Sequence, residues 1–378
     1  MTTVIKESPK GAHGHGEQSA QGDSRRTVAR LSQGYIVALV GGLFATLGAF
    51  YLTLLALLAT GNLPPPAFSN SLCIDEKLSF MREHPAVSPN LLVIGSSVAL
   101  HHFDSSAVAK SAQGIRPFNG AFCALPANRS EYVASWLLDR HPSVRQVLMI
   151  AAPQDFAECS KKPTVVFDRE DVDNFVYGGA SRWPYYMRYF SPISLVGNAR
   201  KIKNERANLM VFTRFGDAPL NTTRSLETLG YGPPEPLESA CFQALRSLAT
   251  RLQRDGRQLM VVTTPLHPDW KAQVDPDGKF FADFDARMRA ALKATNARYW
   301  DADKEWKPDR AAFTDAIHLR WSAAQEFSAA LARQLRPVNS VAAPTPKGSP
   351  VDHHERPLLA SQPLKFNNQK LRLARIYL

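Results

Sequence analysis

The stretch Leu91-Leu92-Val93-Ile94-Gly95-Ser96-Ser97 decides the reading of this 378-residue chain. Leu91–Gly95 is a short, unbroken apolar run closed by a glycine, the length and bounding signal of a strand buried on both faces. A glycine at that point lets the backbone turn sharply, so that a following serine stands exposed at the first turn of a helix. Outward from it, Ile115–Asn119, Gln146–Ala151, Gln258–Thr264 and Ala297–Asp301 repeat the strand pattern. Between them Ser130–Asp139, Leu237–Arg254, Phe281–Thr295 and Trp321–Leu335 place apolar residues three and four apart, and Gly256 follows the second of these where a helix ends. Strand and helix in alternation predict a three-layer α/β domain on a parallel, flavodoxin-like sheet of about five strands, with its ligand site at the carboxyl ends of the strands.

The chemistry-bearing residues fall at those ends. Gly95-Ser96-Ser97 follows the first strand, and Thr314-Asp315-Ala316-Ile317-His318-Leu319 follows the last strand and precedes an amphipathic helix. A carboxylate three residues before an imidazole can hold one ring nitrogen while the other faces a serine, the orienter, base and nucleophile arrangement of acyl transfer. Each motif alone is an ordinary loop; their linked positions carry the signal. Together they resemble the SGNH/GDSL superfamily of esterases and acyltransferases, over about Asp75 to Leu335. The resemblance implies Ser97 as nucleophile, His318 as base and Asp315 as its partner, with Ser96 standing where GDSL members have aspartate. It implies an oxyanion site built from Ser97, Ala124 and Gln154. The two blocks behind that site are worn. Asn119 to Ala124 carries alanine where the family has glycine, which leaves an amide donor if φ stays negative. Ala152-Pro153-Gln154-Asp155 carries glutamine, one methylene longer than the family's asparagine.

Other residues have two readings. His101 and His102 follow the serine turn and are read as surface residues of its helix. His267, in Pro265-Leu266-His267-Pro268, is a candidate for the pocket wall or a turn residue, and Asp104 reads as a helix cap ahead of Ser105 and Ser106. Residues 158–236 form an insertion between the third and fourth strands, long enough to need structure of its own. Its run from Arg182 to Phe190 is dense in aromatics. Trp183, Tyr185 and Tyr186 are candidates to bind sugar rings if the insertion caps the strand ends, with packing inside the insertion as the alternative.

The charge of the chain belongs mostly to its ends. It has 45 Lys and Arg against 34 Asp and Glu, a net +11; residues 1–30 contribute +2, residues 337–378 contribute +4, and the body keeps +5. That body has no basic block with interleaved aromatics and no zinc-finger spacing, which argues against a nucleic-acid partner. Residues 31–72 carry no charge, and Tyr35–Ala59 is continuously apolar or small, enough to cross a bilayer at about 1.5 Å per residue. With Arg25, Arg26 and Arg30 before the span and Asp75 and Glu76 the first charges after it, the chain is read as a single-pass protein of a bacterial inner membrane, N-terminus in the cytoplasm and main domain in the periplasm. The expected organisation is a disordered tail at 1–34, a transmembrane helix at 35–59, a stiff proline spacer at 60–74, the SGNH-like domain at 75–336 and a basic, proline-containing tail at 337–378. Cys73, Cys123, Cys159 and Cys241 show no metal-ligand spacing; in an exported body they can form disulfides, with all three pairings open.

An anchored, exported body with a long insertion looks like relatives of the alginate- and cellulose-acetylating SGNH proteins and the D-alanyl transfer protein of teichoic acids. That resemblance implies an O-acyltransferase, O-acetyl by preference, acting on an extracellular or cell-envelope polysaccharide. It implies no cofactor and no metal, and an acyl donor supplied by a multi-pass membrane acyltransferase. The alternatives are a periplasmic carbohydrate or lipid esterase with the same triad, and a catalytically inactive SGNH-like interaction protein.

Overall fold

The computed structural model describes residues 18–204, 210–220 and 229–335. α1 (Gln18–Ala59) contains the apolar stretch Gly34–Ala59, 26 residues of mean hydropathy 2.0, long and apolar enough to cross a membrane. The helix starts at Gln18, so the latter part of the expected disordered tail is helical. The body begins with α2 (Leu72–Glu83), then β1 (Leu91–Gly95), α3 (Ser97–His102), α4 (Ser105–Ser111), β2 (Pro117–Asn119), α5 (Ala127–Arg140) and β3 (Gln146–Ala151). The insertion carries α6 (Arg169–Val176), α7 (Trp183–Arg188) and α8 (Pro192–Asn204). After it come α9 (Ser239–Arg254), β4 (Gln258–Thr263), α10 (Pro268–Val274), α11 (Lys279–Leu292), β5 (Arg298–Asp301), α12 (Ala302–Glu305) and α13 (Trp321–Ala332).

All five strands pair in parallel in the order β2-β1-β3-β4-β5, the flavodoxin-like arrangement. The alternation along each strand sorts its residues between two cores. Leu92, Ile94, Val147, Met149, Leu259 and Val261 face the layer of α5, α9 and α11, whereas Leu91, Val93, Leu148, Ile150, Met260 and Val262 face α3, α4, α10 and α13. Strands covered on both faces need no polar positions, which is why β1, β3 and β4 read as plain apolar runs. Gly256, with φ of +68°, ends α9 in the left-handed conformation that glycine adopts without penalty.

The proline segment is not a free spacer. Phe68 is buried against Phe175, Tyr185 and Tyr189, and the Tyr186 hydroxyl donates to the Pro64 carbonyl at 2.7 Å. The body also starts earlier than Asp75, because Asp75 Oδ1 accepts from the Ser69 amide and hydroxyl and so fastens the turn ahead of α2. Cys73 pairs with Cys123, and Cys159 with Cys241. The second bridge closes the base of the insertion, where Glu238 also accepts from the amide and hydroxyl of Ser160. The expected tail at 337–378 lies outside the described residues.

Candidate active site

Gly95 fixes where the serine stands. Its φ is +138°, and a β-carbon there would meet the Ile150 carbonyl oxygen at 2.4 Å and the Ala99 β-carbon at 2.8 Å. Only glycine lets β1 pass β3 so closely and turn into α3, which puts Ser97 at the first helical position, half-buried, with Ser96 buried beneath it. From the far end of the body, Asp315 to His318 forms a loop closed by the antiparallel bridge of Phe313 with Leu319. Its tip is held from two sides: the Ala316 amide donates to the Leu229 carbonyl, and the Ala316 carbonyl accepts from the His267 amide.

This places three side chains in a line. His318 Nδ1 lies 2.8 Å from Asp315 Oδ2, and His318 Nε2 lies 2.9 Å from Ser97 Oγ. The other Asp315 oxygen accepts from the Ile317 and His318 amides at 2.9 and 2.8 Å, so the loop's own backbone orients the carboxylate. Burial works to raise the Asp315 carboxyl, but the hydrogen bond and charge of His318, with those two amides, outweigh it and hold the group below the usual carboxylate range. An ionised Asp315 accepting from Nδ1 leaves Nε2 as the nitrogen that can take the serine proton.

His101 and His102 are not surface residues. His102 is fully buried; its Nε2 accepts from the Leu319 amide at 2.8 Å, which leaves Nδ1–H to donate to Thr264 Oγ1 at 2.7 Å. It therefore ties the backbone immediately after His318 to the end of β4. Burial pushes its pKa well down, with His318 the next cause, so it stays neutral in this role. His101 donates from Nδ1 to the Ala218 carbonyl, and its ring meets His318 edge-on at 5.6 Å. His102 is thus enclosed between α3, the end of β4 and the loop after His318, while His101 is half-buried between Ala218 and His318. Asp104 caps α4 as expected, accepting from the amides of Ser106 and Ala107.

Ser97 opens on a cavity of about 340 Å³. Ala124 and Gln154 line the same cavity, together with Ser96, Asp155 and the segment Tyr231-Gly232-Pro233-Pro234-Glu235. Ala124 lies in the left-handed region, with φ of +53°, so the negative φ on which its amide donor was expected is not met. For a residue with a β-carbon that conformation costs about 1 kcal/mol or more, so the surrounding fold enforces it. Both polar atoms of the Gln154 carboxamide are buried without a hydrogen-bond partner among the described residues, although buried amides almost always have one. A carboxamide shielded from water and unpaired beside a serine is free to donate to charge that develops there.

The three candidates for sugar binding, and His267 as a candidate for the pocket wall, lie elsewhere. Tyr185 and Tyr186 are buried within the insertion, Tyr185 against Phe68 and Phe175, and Trp183 and Tyr186 line a different cleft beside Pro64–Pro66 and Arg82. The aromatic run serves to pack the insertion on α2 and on the proline segment. His267 is buried as well; its Nδ1 accepts from the Asp269 amide to cap α10, and its ring abuts Phe313. The insertion does reach the cavity, through Glu158 and Lys162 where it begins and through Tyr231–Glu235 where it ends. The only sequence signal there is the dense Gly230, Gly232, Pro233 and Pro234 of a turn.

Burial pushes the Asp155 carboxyl up to about 7, against hydrogen bonds from the Ala152 amide and the Ser96 hydroxyl. Folded Asp155 therefore keeps its proton between about pH 4 and pH 7, where the unfolded chain has released it, and stability falls as pH rises through that window. The full penalty is on the order of 4 kcal/mol. Asp155→Asn keeps an acceptor for the Ala152 amide and removes the titration. In thermal melts its stability relative to wild type is expected to improve from about pH 4 to pH 7 and then to level off; parallel curves across that window would contradict the assignment.

No protein-family model matches the chain, and no curated protein matches it in sequence. Among solved structures it is similar to the inhibitor-bound form of the M. smegmatis aryl esterase, with a TM-score of 0.33 and 12% identity, over 67% of this chain and 100% of that one.

Proposed function

We propose that the chain is a membrane-anchored acyl-transfer enzyme that forms an acyl-Ser97 intermediate and passes the acyl group, acetyl by preference, to a hydroxyl of a cell-envelope polysaccharide. The observation that carries this reading is the unbroken Asp315–His318–Ser97 relay at 2.8 and 2.9 Å, opening on a cavity that also holds Ala124 and Gln154. In the first half-reaction Ser97 Oγ attacks the donor's carbonyl carbon while His318 Nε2 takes its proton, and Asp315 stabilises the imidazolium. The Ser97 amide and the Gln154 carboxamide are the donors for the oxyanion, with Ala124 on the same cavity wall. As the tetrahedral centre collapses, His318 returns the proton to the leaving group. In the second half His318 deprotonates the acceptor hydroxyl, which attacks the acyl carbon and releases Ser97 with its proton restored. Tyr231, Glu158, Glu235 and Lys162 at the cavity wall are the aromatic and polar groups that a polyhydroxylated acceptor would meet.

The apolar stretch Gly34–Ala59 as an anchor, with the body in the periplasm, fits this reading. Both disulfides agree with an oxidising compartment. Outside the cytoplasm the donor would come from a multi-pass membrane partner. The test is the fate of the acyl group: incubated with an activated acetyl ester and soluble acetate-free exopolysaccharides, the full-length protein in detergent is expected to acetylate a polymer and to lower the share released as acetate. Acetate alone, undiminished by any polymer, would make the chain an esterase using the same residues.

A further inference from the structure

Outside α1, eight large apolar side chains are exposed among the described residues, and four of them, Met187, Phe190, Ile193 and Val196, fall within ten residues. They sit on α7, the turn after it and the first half of α8. The same region is the most one-sidedly charged part of the body: from Arg182 to Asn204 there are five Lys and Arg and no Asp or Glu. Arg188 is bound to Asp171 and Lys201 lies near Glu76, while Arg182, Arg200 and Lys203 have no ion pair among the described residues. α8 thus exposes Ile193 and Val196 at one end and a basic cluster at the other.

The position of this patch relative to α1 says what covers it. Leu47, Phe50, Tyr51, Leu54 and Leu57 form the one face of the apolar stretch that is shielded, and Leu54 is fully buried. The Phe50 ring meets Phe190 edge-on at 5.0 Å, and Phe50 lines one crevice with Phe190, Ser194 and Leu195. Arg30 is the last charge before the span, and Phe50 lies 20 residues beyond it. Counted from Gly34, where the apolar stretch begins, Phe50 lies 16 residues in, about 24 Å at about 1.5 Å per residue, which places it in the outer part of a hydrocarbon core about 30 Å thick. A side chain packed on Phe50 cannot be in bulk water if α1 crosses the bilayer. It must sit where tails give way to headgroups.

We propose that the α7–α8 corner is a second membrane contact, an interfacial element that sinks Met187, Phe190, Ile193 and Val196 into the outer leaflet and sets Arg182, Arg200 and Lys203 against lipid phosphates. The inference rests on Gly34–Ala59 being a transmembrane span. Interfacial helices of this kind bury an apolar face by about 5–10 Å and add attraction between basic side chains and anionic lipid. One span alone leaves a body free to swivel and lift; a second contact fixes the height and facing of the body over the membrane.

The test reconstitutes the full-length protein, dilute, in vesicles of phosphatidylethanolamine and phosphatidylglycerol carrying a lipid with a photoactivated carbene precursor in its acyl chain, and maps the labelled peptides by mass spectrometry. Expected is label on the α1 peptides and, several-fold above peptides of the sheet, on the peptide holding Met187–Val196. In Ile193→Asp/Val196→Asp, whose altered side chains are exposed and distant from the serine, label on that peptide falls to the level of the sheet while α1 stays labelled and ester hydrolysis is unchanged. Label on α1 with Met187–Val196 at background overturns the proposal and leaves the span standing. No label on either shows that the span reading itself fails, and the proposal with it. A double variant labelled as strongly as wild type also overturns it.

Discussion

Ser97→Ala lowers the rate at which the full-length protein hydrolyses an activated acetyl ester by on the order of a thousandfold or more, with thermal stability unchanged. The size follows from how the relay works: nucleophile and base act as one unit, so losing either loses nearly the whole advantage, and only the residual help of the oxyanion donors remains. His318→Ala is expected to cost about as much, and the double variant hardly more than either alone. The unchanged stability follows from the local geometry. Ser97 Oγ makes its hydrogen bond to His318 Nε2, the position is half-buried, and alanine is a good first-turn residue. A loss of activity that came with a large loss of stability would point to a structural serine. Activity retained in Ser97→Ala would remove the nucleophile altogether.

The second large effect lies behind the site. Lys77 is fully buried; its Nζ donates to the Gly216 carbonyl, and burial brings its pKa down to about 7, with Asp217 the opposing influence. Asp217, also buried, accepts from the amide and hydroxyl of Ser105, from Thr213 Oγ1 and from Asn119 Nδ2. One carboxylate thereby fastens the insertion's returning segment to α4 and to β2, the edge strand whose Asn119 amide donates to the Phe215 carbonyl. Gly216 must be glycine there, since with φ of +90° a β-carbon would meet Lys77 Nζ at 2.6 Å and the Asn119 carbonyl at 2.8 Å. Asp217→Ala removes the carboxylate whose charge favours protonated Lys77 and takes away the acceptor of the Ser105 amide and hydroxyl and of Thr213 Oγ1, while Asn119 Nδ2 keeps the Ala99 carbonyl. The expected cost is about 3–5 kcal/mol in urea unfolding, and Lys77→Met in the same background recovers part of it. A loss below about 1 kcal/mol would mean that Asp217 is solvated and does not hold the layer together.

Much of this was written in neighbouring residues, and the remainder was not. β1, β3 and β4 could be placed to within a residue because both faces of each strand are buried, and the Gly95 turn and the Asp315–His318 loop are each complete within a few residues. β2 is shorter than its apolar pattern, beginning at Pro117, as an edge strand with three paired positions does. His102, Lys77 and Asp217 gave no local signal, since their partners lie across the fold: His102 meets Thr264, 162 positions away, and Lys77 meets Gly216, 139 away. The aromatics of α7 misled for a physical reason. Rings and arginines that would suit a sugar suit equally the packing of a helix on a proline segment, and composition does not tell which surface they meet. The cavity wall at Tyr231–Glu235 was missed because a Gly-Pro turn says where the chain bends and not what it bends over. That Ala124 departs from the expected negative φ could be seen only in the structure.

The central claim is that Ser97 carries the acyl group. It is tested most directly by exposing the full-length protein to an activated acetyl ester, quenching in acid within a turnover, and measuring the intact mass and the modified peptide. The account predicts one added acyl group per chain, on the peptide containing Ser97, and none in Ser97→Ala. A wild-type chain that stays unmodified, or an adduct of equal yield in Ser97→Ala, would contradict it.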